Sequence, residues 1–377
     1  MSNRISRRRP YFFSFVAFAF ALLLGDKTSS SDDRLELIEM PAGFKIELYA
    51  AGVHNARAMA LGPKGTLFVG STSAGNVYGV LDVDNDQKAD EVLLIATNLR
   101  APAGVAVSEN SLYVSAVNKI LRFDNIENQL NQPPMPVLVT NRLPNENHHG
   151  WKFIDFGPDG SLYVPVGAPC NVCLRSDPYA AILRMNKDGS NMEVFARGIR
   201  NSVGFAWHPK TQELWFTDNG RDNLGDDIPP GELNRAPKLG LHFGFPFCHG
   251  TSVADPRFGH TRTCAEFRAP EQLLGPHVAP LGMTFYEGDM FPEEYNHSVF
   301  IAEHGSWNRT QKIGYRVTVV HLDNEGKPKS YGTFASGWLQ GQKPWGRPTD
   351  VLVLEDGSLL VADDTAGAIY RITYAGP

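Results

Sequence analysis

The sequence predicts an all-β protein, a six-bladed β-propeller of four-stranded antiparallel blades, and three observations lead there. A short pattern of polar turn, apolar strand and small residue recurs six times along the 377 residues. Its aligned apolar positions, Leu67, Leu112, Leu162, Leu214, Val299 and Leu359, are spaced by 45, 50, 52, 85 and 60 residues. Strand repeats of roughly 40–50 residues mark blades that bury their faces only by stacking around an axis. A second apolar run follows most copies after a short loop: residues 76–81, 119–123, 181–185, 316–321 and 368–372. The fourth copy's partner, residues 231–235, is weak. A β-sandwich is the rival arrangement, but six copies in phase would be an accident there.

Taken in chain order, residues 1–25 stand apart. Arg4, Arg7, Arg8 and Arg9 precede an apolar run from Tyr11 to Leu24, the layout of an export signal and short for a membrane span. Cleavage after export and retention as an N-terminal anchor both remain open. The expected location is periplasmic or secreted, with membrane contact only through that segment. Its removal takes four arginines and no carboxylate, so the net charge of −6 becomes −10. An acidic chain without a Lys/Arg stripe is a poor partner for nucleic acid. Residues 35–375 read as a single propeller, since no linker-like stretch divides them.

In the first blade, Asp82, Asp84, Asp86 and Asp90 place carboxylates at alternate positions, the spacing of a calcium loop. Gln87 stands where such a loop has glycine, so a solvated acidic hairpin turn is the competing reading. Before the third copy lies His148-His-Gly-Trp151, and after it Cys170-Asn-Val-Cys173. Residue 174 is Leu, which excludes covalent haem attachment. With Cys248 and Cys264, an exported chain suggests two local disulfides. A zinc site lacks its second close pair, and redox chemistry at Cys170 and Cys173 is the third option. Arg200 and Asn201 precede the fourth copy, and Asp218-Asn-Gly-Arg-Asp222 follows it. The wide spacing that follows points to a long loop insert around residues 235–280, between the inner strands of blades 4 and 5. Glu303-His-Gly-Ser-Trp-Asn-Arg309 follows the fifth copy, while Gly346-Arg-Pro-Thr-Asp350 and Asp363-Asp-Thr-Ala-Gly367 flank the sixth. His, Arg, Asn and Asp from distant parts of the chain thus gather at one end of the funnel, a set suited to an anionic or planar ligand. Turns and blade-to-blade ion pairs would use the same residues.

These stretches resemble the glucose/sorbosone dehydrogenase family of exported propellers dependent on pyrroloquinoline quinone (PQQ), and most closely its sorbosone-dehydrogenase-type branch. The resemblance covers residues 35–375, and residues 148–173, 198–204, 216–222, 347–351 and 364–367 carry it. It implies that His149 is the general base, taking a hydroxyl proton while hydride passes to the quinone. Arg200 and Asn201 would face the quinone, Arg200 stabilising developing charge. The main-chain carbonyls of Gly220 and Arg221, in the Asn219-Gly220-Arg221 loop, would hold a calcium ion that also holds PQQ. Arg347 would pair with a PQQ carboxylate, and His304, Trp307 and Lys312 fall near the family's cofactor-binding lysine. The chain departs from the glucose-oxidising pattern at Ala168, where an aspartate orients the histidine, which leaves His148 or Asp155 as alternatives. It departs also at Pro102-Ala103, at Thr349 and at Arg221.

The resemblance therefore implies oxidation of a sugar or sugar aldehyde (aldose or sorbosone-like), with electrons leaving to a cytochrome or quinone. Two other classes stay open. One is a calcium-dependent lactonase-type hydrolase, with Asn201, Asn219, Asp218 and Glu303 as metal ligands. The other is a non-catalytic carbohydrate- or protein-binding propeller.

Overall fold

Every repeated strand is buried on both faces, and this is why it reads as an unbroken apolar run rather than an alternating one. The computed structural model describes residues 34–376 and Met1; the rest of the expected signal segment lies outside the described residues. Six antiparallel four-stranded sheets stand around one axis. The repeated strands are Leu67–Ser71, Ser111–Ala116, Leu162–Val166, Leu214–Asp218, Val299–Glu303 and Leu359–Asp363. Each is the second strand of its blade, not the innermost. The innermost strands are Ala56–Leu61, Val105–Ser108, Asp155–Phe156, Phe205–Trp207, Pro280–Phe285 and Pro348–Val353. The weak fourth partner is a true third strand, Pro230–Ala236.

Six core clusters fill the six seams between blades. The aligned residue of every repeat packs toward the preceding blade. Leu112 lies between blades 1 and 2, and Leu162 between blades 2 and 3. The next residue packs toward the following blade: Tyr113 between blades 2 and 3, Tyr163 between blades 3 and 4. Successive strand side chains point to opposite faces, so one five-residue strand supplies both seams.

The ring closes through the N-terminal strand. Phe44–Ala51 pairs antiparallel with Ala368–Tyr374 as the outer strand of blade 6. Closure leaves blade 6 with a complete sheet built from both ends of the propeller, and Phe44–Ala51 covers the edge of Ala368–Tyr374.

The wide spacing after the fourth repeat has a narrower origin than an insert between inner strands. Residues 237–271 connect the third strand of blade 4 to its outer strand, Gln272–Pro276. They carry a fifth, parallel strand for blade 3, Leu241–His242, and the hairpin Cys248–His249 with Val253–Ala254. Both disulfides form, Cys170–Cys173 and Cys248–Cys264. Among the described residues no helix is long and apolar enough to cross a membrane.

Candidate active site

In each blade the start of the innermost strand lies beside the end of the second, as Pro280 pairs Glu303 and Pro348 pairs Asp363. The loops at these points therefore converge on one mouth of the axis, where a cavity of about 680 Å³ opens. His149, Arg200, Asn201, Asn219, Gly220, His304 and Arg347 all line it. Stretches far apart in sequence meet there because the fold repeats one loop position around a ring.

His149 is held by the main chain. Its Nδ1 lies 2.7 Å from the carbonyl oxygen of Ala168. A carbonyl only accepts, so Nδ1 carries the hydrogen and Nε2 keeps its lone pair. His149 sits at φ 50, a left-handed conformation that the loop imposes. Gly167 makes room for it: a Cβ there would stand 2.5 Å from the His149 Cβ. Burial, then the Arg200 charge, push the imidazole pKa down to about 2. The side chains open to the orienting role in the sequence do not take it. His148 only packs ring against ring at 4.1 Å, and the Asp155 carboxylate bonds the Phe156 amide at 2.8 Å on the innermost strand of blade 3.

Arg200 is buried and heavily engaged. Nε and Nη2 donate to the carbonyl and side-chain oxygens of Asn171 at 2.8 and 3.0 Å. Nη2 also pairs with Asp222 at 3.0 Å, and Nη1 donates to the Asn219 carbonyl at 3.1 Å. The Asp218 carboxylate fixes the backbone below, accepting from the amides of Arg200 and Asn201 at 2.9 and 2.7 Å. Asp363 does the same for the Arg347 amide at 2.9 Å. Two buried carboxylates thus set the main chain under two cavity arginines. Burial raises the pKa of both, that of Asp363 to about 6.

On the opposite wall, His304 Nε2 lies 3.0 Å from both oxygens of Asp364, which also pairs with Arg57 at 2.8 Å. Arg347 donates to the carbonyls of His304 and Gly305 at 2.9 and 3.0 Å. Arg57 lies 5.9 Å from the Trp151 ring, and both the Arg57 Nε and the Trp151 Nε1 are buried without an acceptor. The wall is thus richer in donors than in acceptors. Trp307 stands at the rim, 69% exposed.

Other expected site residues fall elsewhere. Lys312 does not line the cavity; its Nζ donates to the Gln342 carbonyl at 3.0 Å. The Arg221 side chain turns to Asp255 at 2.6 Å. Asp218 and Glu303 do not line the cavity either, because Glu303 is bound within blade 5 to Arg316 at 2.7 Å and to Tyr331. Of the carboxylates expected to ligate a hydrolytic metal, neither faces the cavity, while Asp222 does. The oxygens of Asp82, Asp84 and Asp86 gather within 4.8 Å in the first blade, Asp82 half-buried and the other two exposed, while Asp90 stands outside that group and accepts from the Val83 amide. Gln87 takes φ 73, the conformation that glycine would supply in a calcium loop.

Arg57 is the cavity residue that the sequence reading missed. It stands 10 residues before Leu67, as Arg200 stands 14 before Leu214 and Arg347 12 before Leu359. That rough recurrence is the signal that would have found it. His277 and Asn308, which also line the cavity, carry no such pattern.

Fold and site together define a six-bladed propeller whose mouth presents the His149 imidazole, its Nδ1–H held by Ala168, and three guanidinium groups. The family model for Glucose / Sorbosone dehydrogenase matches residues 108–371, and the chain belongs to that family. An uncharacterized protein of Borreliella burgdorferi is 33% identical, covering 96% of this chain and 97% of its own. A pyrroloquinoline quinone-dependent pyranose dehydrogenase of Coprinopsis cinerea is 31% identical over 27% of this chain and 16% of its own. The structure of the PQQ domain of a Coprinopsis cinerea pyranose dehydrogenase has a TM-score of 0.76 at 19% identity, covering 89% of this chain and 97% of that one. The PQQ-bound aldose sugar dehydrogenase of Streptomyces coelicolor has a TM-score of 0.65 at 22% identity, covering 89% and 100%.

Proposed function

We propose that this protein is an exported PQQ-dependent dehydrogenase that oxidises a sugar or sugar aldehyde, His149 acting as general base. The observation that carries this reading is His149 itself, with Nδ1–H tied to Ala168 and Nε2 left to face a cavity ringed by Arg57, Arg200 and Arg347. PQQ is a planar quinone bearing three carboxylates, and the donor-rich wall fits it. Arg347 gives its donors to carbonyls alone, and the Arg57 Nε has no acceptor. Arg347 and Arg57 would hold carboxylates, while Arg200 and Asn201 would face the quinone. No donor among the described residues bonds the carbonyls of Gly220 or Arg221, which suits the calcium ion proposed there. The acidic turn of blade 1 is the place for a second calcium ion. When bound, PQQ supplies an electrophilic carbonyl that accepts hydride.

The chain's own part is proton transfer and orientation. His149 Nε2 takes the proton of the substrate hydroxyl, and the Ala168 carbonyl keeps the ring aimed. Arg200 places positive charge where negative charge develops. An imidazolium is disfavoured in a cavity flanked by Arg200, and a polyanionic ligand would offset that charge and raise the His149 pKa on binding. Electrons then pass to an external cytochrome or quinone.

The test is to add PQQ to the apo-protein with calcium, then a panel of aldoses, sugar aldehydes and polyols, following quinone absorbance. Saturable binding and bleaching by one substrate class is the expected result. No binding in the presence of calcium would overturn the reading.

A further inference from the structure

Asn171 is one of the two residues between the cysteines of Cys170-Asn-Val-Cys173. It lies inside the four-residue ring closed by Cys170–Cys173. Both of its oxygens face one edge of the Arg200 guanidinium, at 2.8 and 3.0 Å. Its amide also pairs with the main chain of Asp222: Oδ1 accepts from the Asp222 amide at 2.8 Å, and Nδ2 donates to the Asp222 carbonyl at 3.1 Å. One side chain therefore ties the loop after the second strand of blade 3 to the corresponding loop of blade 4.

The consequence for Arg200 is directional. A guanidinium has five N–H groups in a fixed plane. Two go to Asn171, one to Asp222 and one to Asn219, which leaves a single Nη1 hydrogen free. An acidic residue at position 171 would grip the same edge but cancel the charge. Asn171 grips it with neutral oxygens, so among the described residues the only carboxylate bonded to the Arg200 guanidinium is Asp222, whose other oxygen is engaged by Asn308 at 2.8 Å.

We infer that Asn171, locked by the Cys170–Cys173 ring, is the positioning residue for Arg200: it fixes the guanidinium plane with neutral oxygens, so that one Nη1 donor stays free and no second carboxylate joins Asp222 on the guanidinium. Its service to a quinone rests on the proposed function, whereas the clamp itself does not. The disulfide acts through geometry, holding the Asn171 carbonyl where the Nε–H meets it.

The experiment uses the full-length ¹⁵N-labelled protein in two arms. The Arg200 Nε–H and Nη–H correlations are assigned by their loss in Arg200→Lys, and their exchange with water is measured. Asn171→Ala, which removes Oδ1 but keeps the main-chain carbonyl, should speed exchange at Nη2 by about tenfold or more, and the double variant Cys170→Ser/Cys173→Ser should do so at Nε. Asn171→Asp, which keeps both acceptors, should retain slow exchange even if the serine variant fails to fold. In the second arm PQQ is titrated with calcium. Asn171→Ala should bind it about tenfold more weakly, and Asn171→Asp should also weaken binding, more so at low salt because added charge acts through an unscreened field. Unchanged exchange in Asn171→Ala would overturn the inference, and so would an Asn171→Asp variant that binds PQQ as wild type does. If wild type binds no PQQ while the exchange results hold, the clamp stands and the quinone reading falls.

Discussion

A histidine that works as a base must hold its hydrogen on one nitrogen and present the other. His149 meets this condition through a main-chain carbonyl, where a carboxylate would both orient the ring and stabilise its charged form. The consequence is an imidazole that stays neutral far into acid. Replacing it with Asn, which tolerates the left-handed φ of this position, should lower turnover roughly 10²–10⁴-fold while PQQ titration still saturates. The same residue shapes acid stability. Its folded pKa of about 2 lies below the ordinary value of 6.5, so the unfolded chain takes up the proton first as pH falls. The stability linked to its neutral form is complete above about pH 6.5 and drains away below it. Melting curves of His149→Asn against wild type should therefore converge or cross in the variant's favour between pH 6.5 and pH 4. For Arg57, exchange to Gln should weaken PQQ binding about tenfold, read by the same titration.

Strands show how unevenly a sequence reports its fold. The second strands were legible because both faces are buried, so Leu162–Val166 and Val299–Glu303 announce themselves as apolar runs. The innermost strands were not: Asp155–Phe156 and Phe205–Trp207 are two and three residues long, too short for any period. The orienting group of His149 was illegible for another reason, since a main-chain carbonyl has no residue type. Leu162→Ala should cost about 2–5 kcal/mol, measured by denaturant unfolding, because the seam between blades 2 and 3 loses its aligned side chain. Asp350, on the innermost strand of blade 6, offers the opposite pH test. Burial raises its pKa to about 7 although the Met59 amide bonds it at 2.8 Å. The folded state thus keeps a proton that the unfolded chain releases above about pH 4, and stability falls as pH rises to 7. Asp350→Asn should melt higher than wild type at pH 8 and alike at pH 4.

For the whole molecule, the ring is the unit of stability. Deleting residues through Ala51 would strip blade 6 of its outer strand and expose the edge of Ala368–Tyr374. The truncated chain should self-associate and lose PQQ binding, seen by light scattering and titration, although no cavity residue has been removed. The mouth depends on closure because Arg57 and Asp364 meet across the seam between blades 1 and 6.

That seam also imposes an order in time. Phe44 pairs with Tyr374, 330 residues later, so the closing strand leaves the ribosome early and waits for nearly the whole chain before it has a partner. Pairings this distant are slow to find. Blades 1 to 5 hold their own strands and are free to form as they emerge, but the cavity exists only after the last hairpin arrives. Any early intermediate would carry Phe44–Ala51 unpaired, an edge open to association with other chains until Ala368–Tyr374 arrives to cover it.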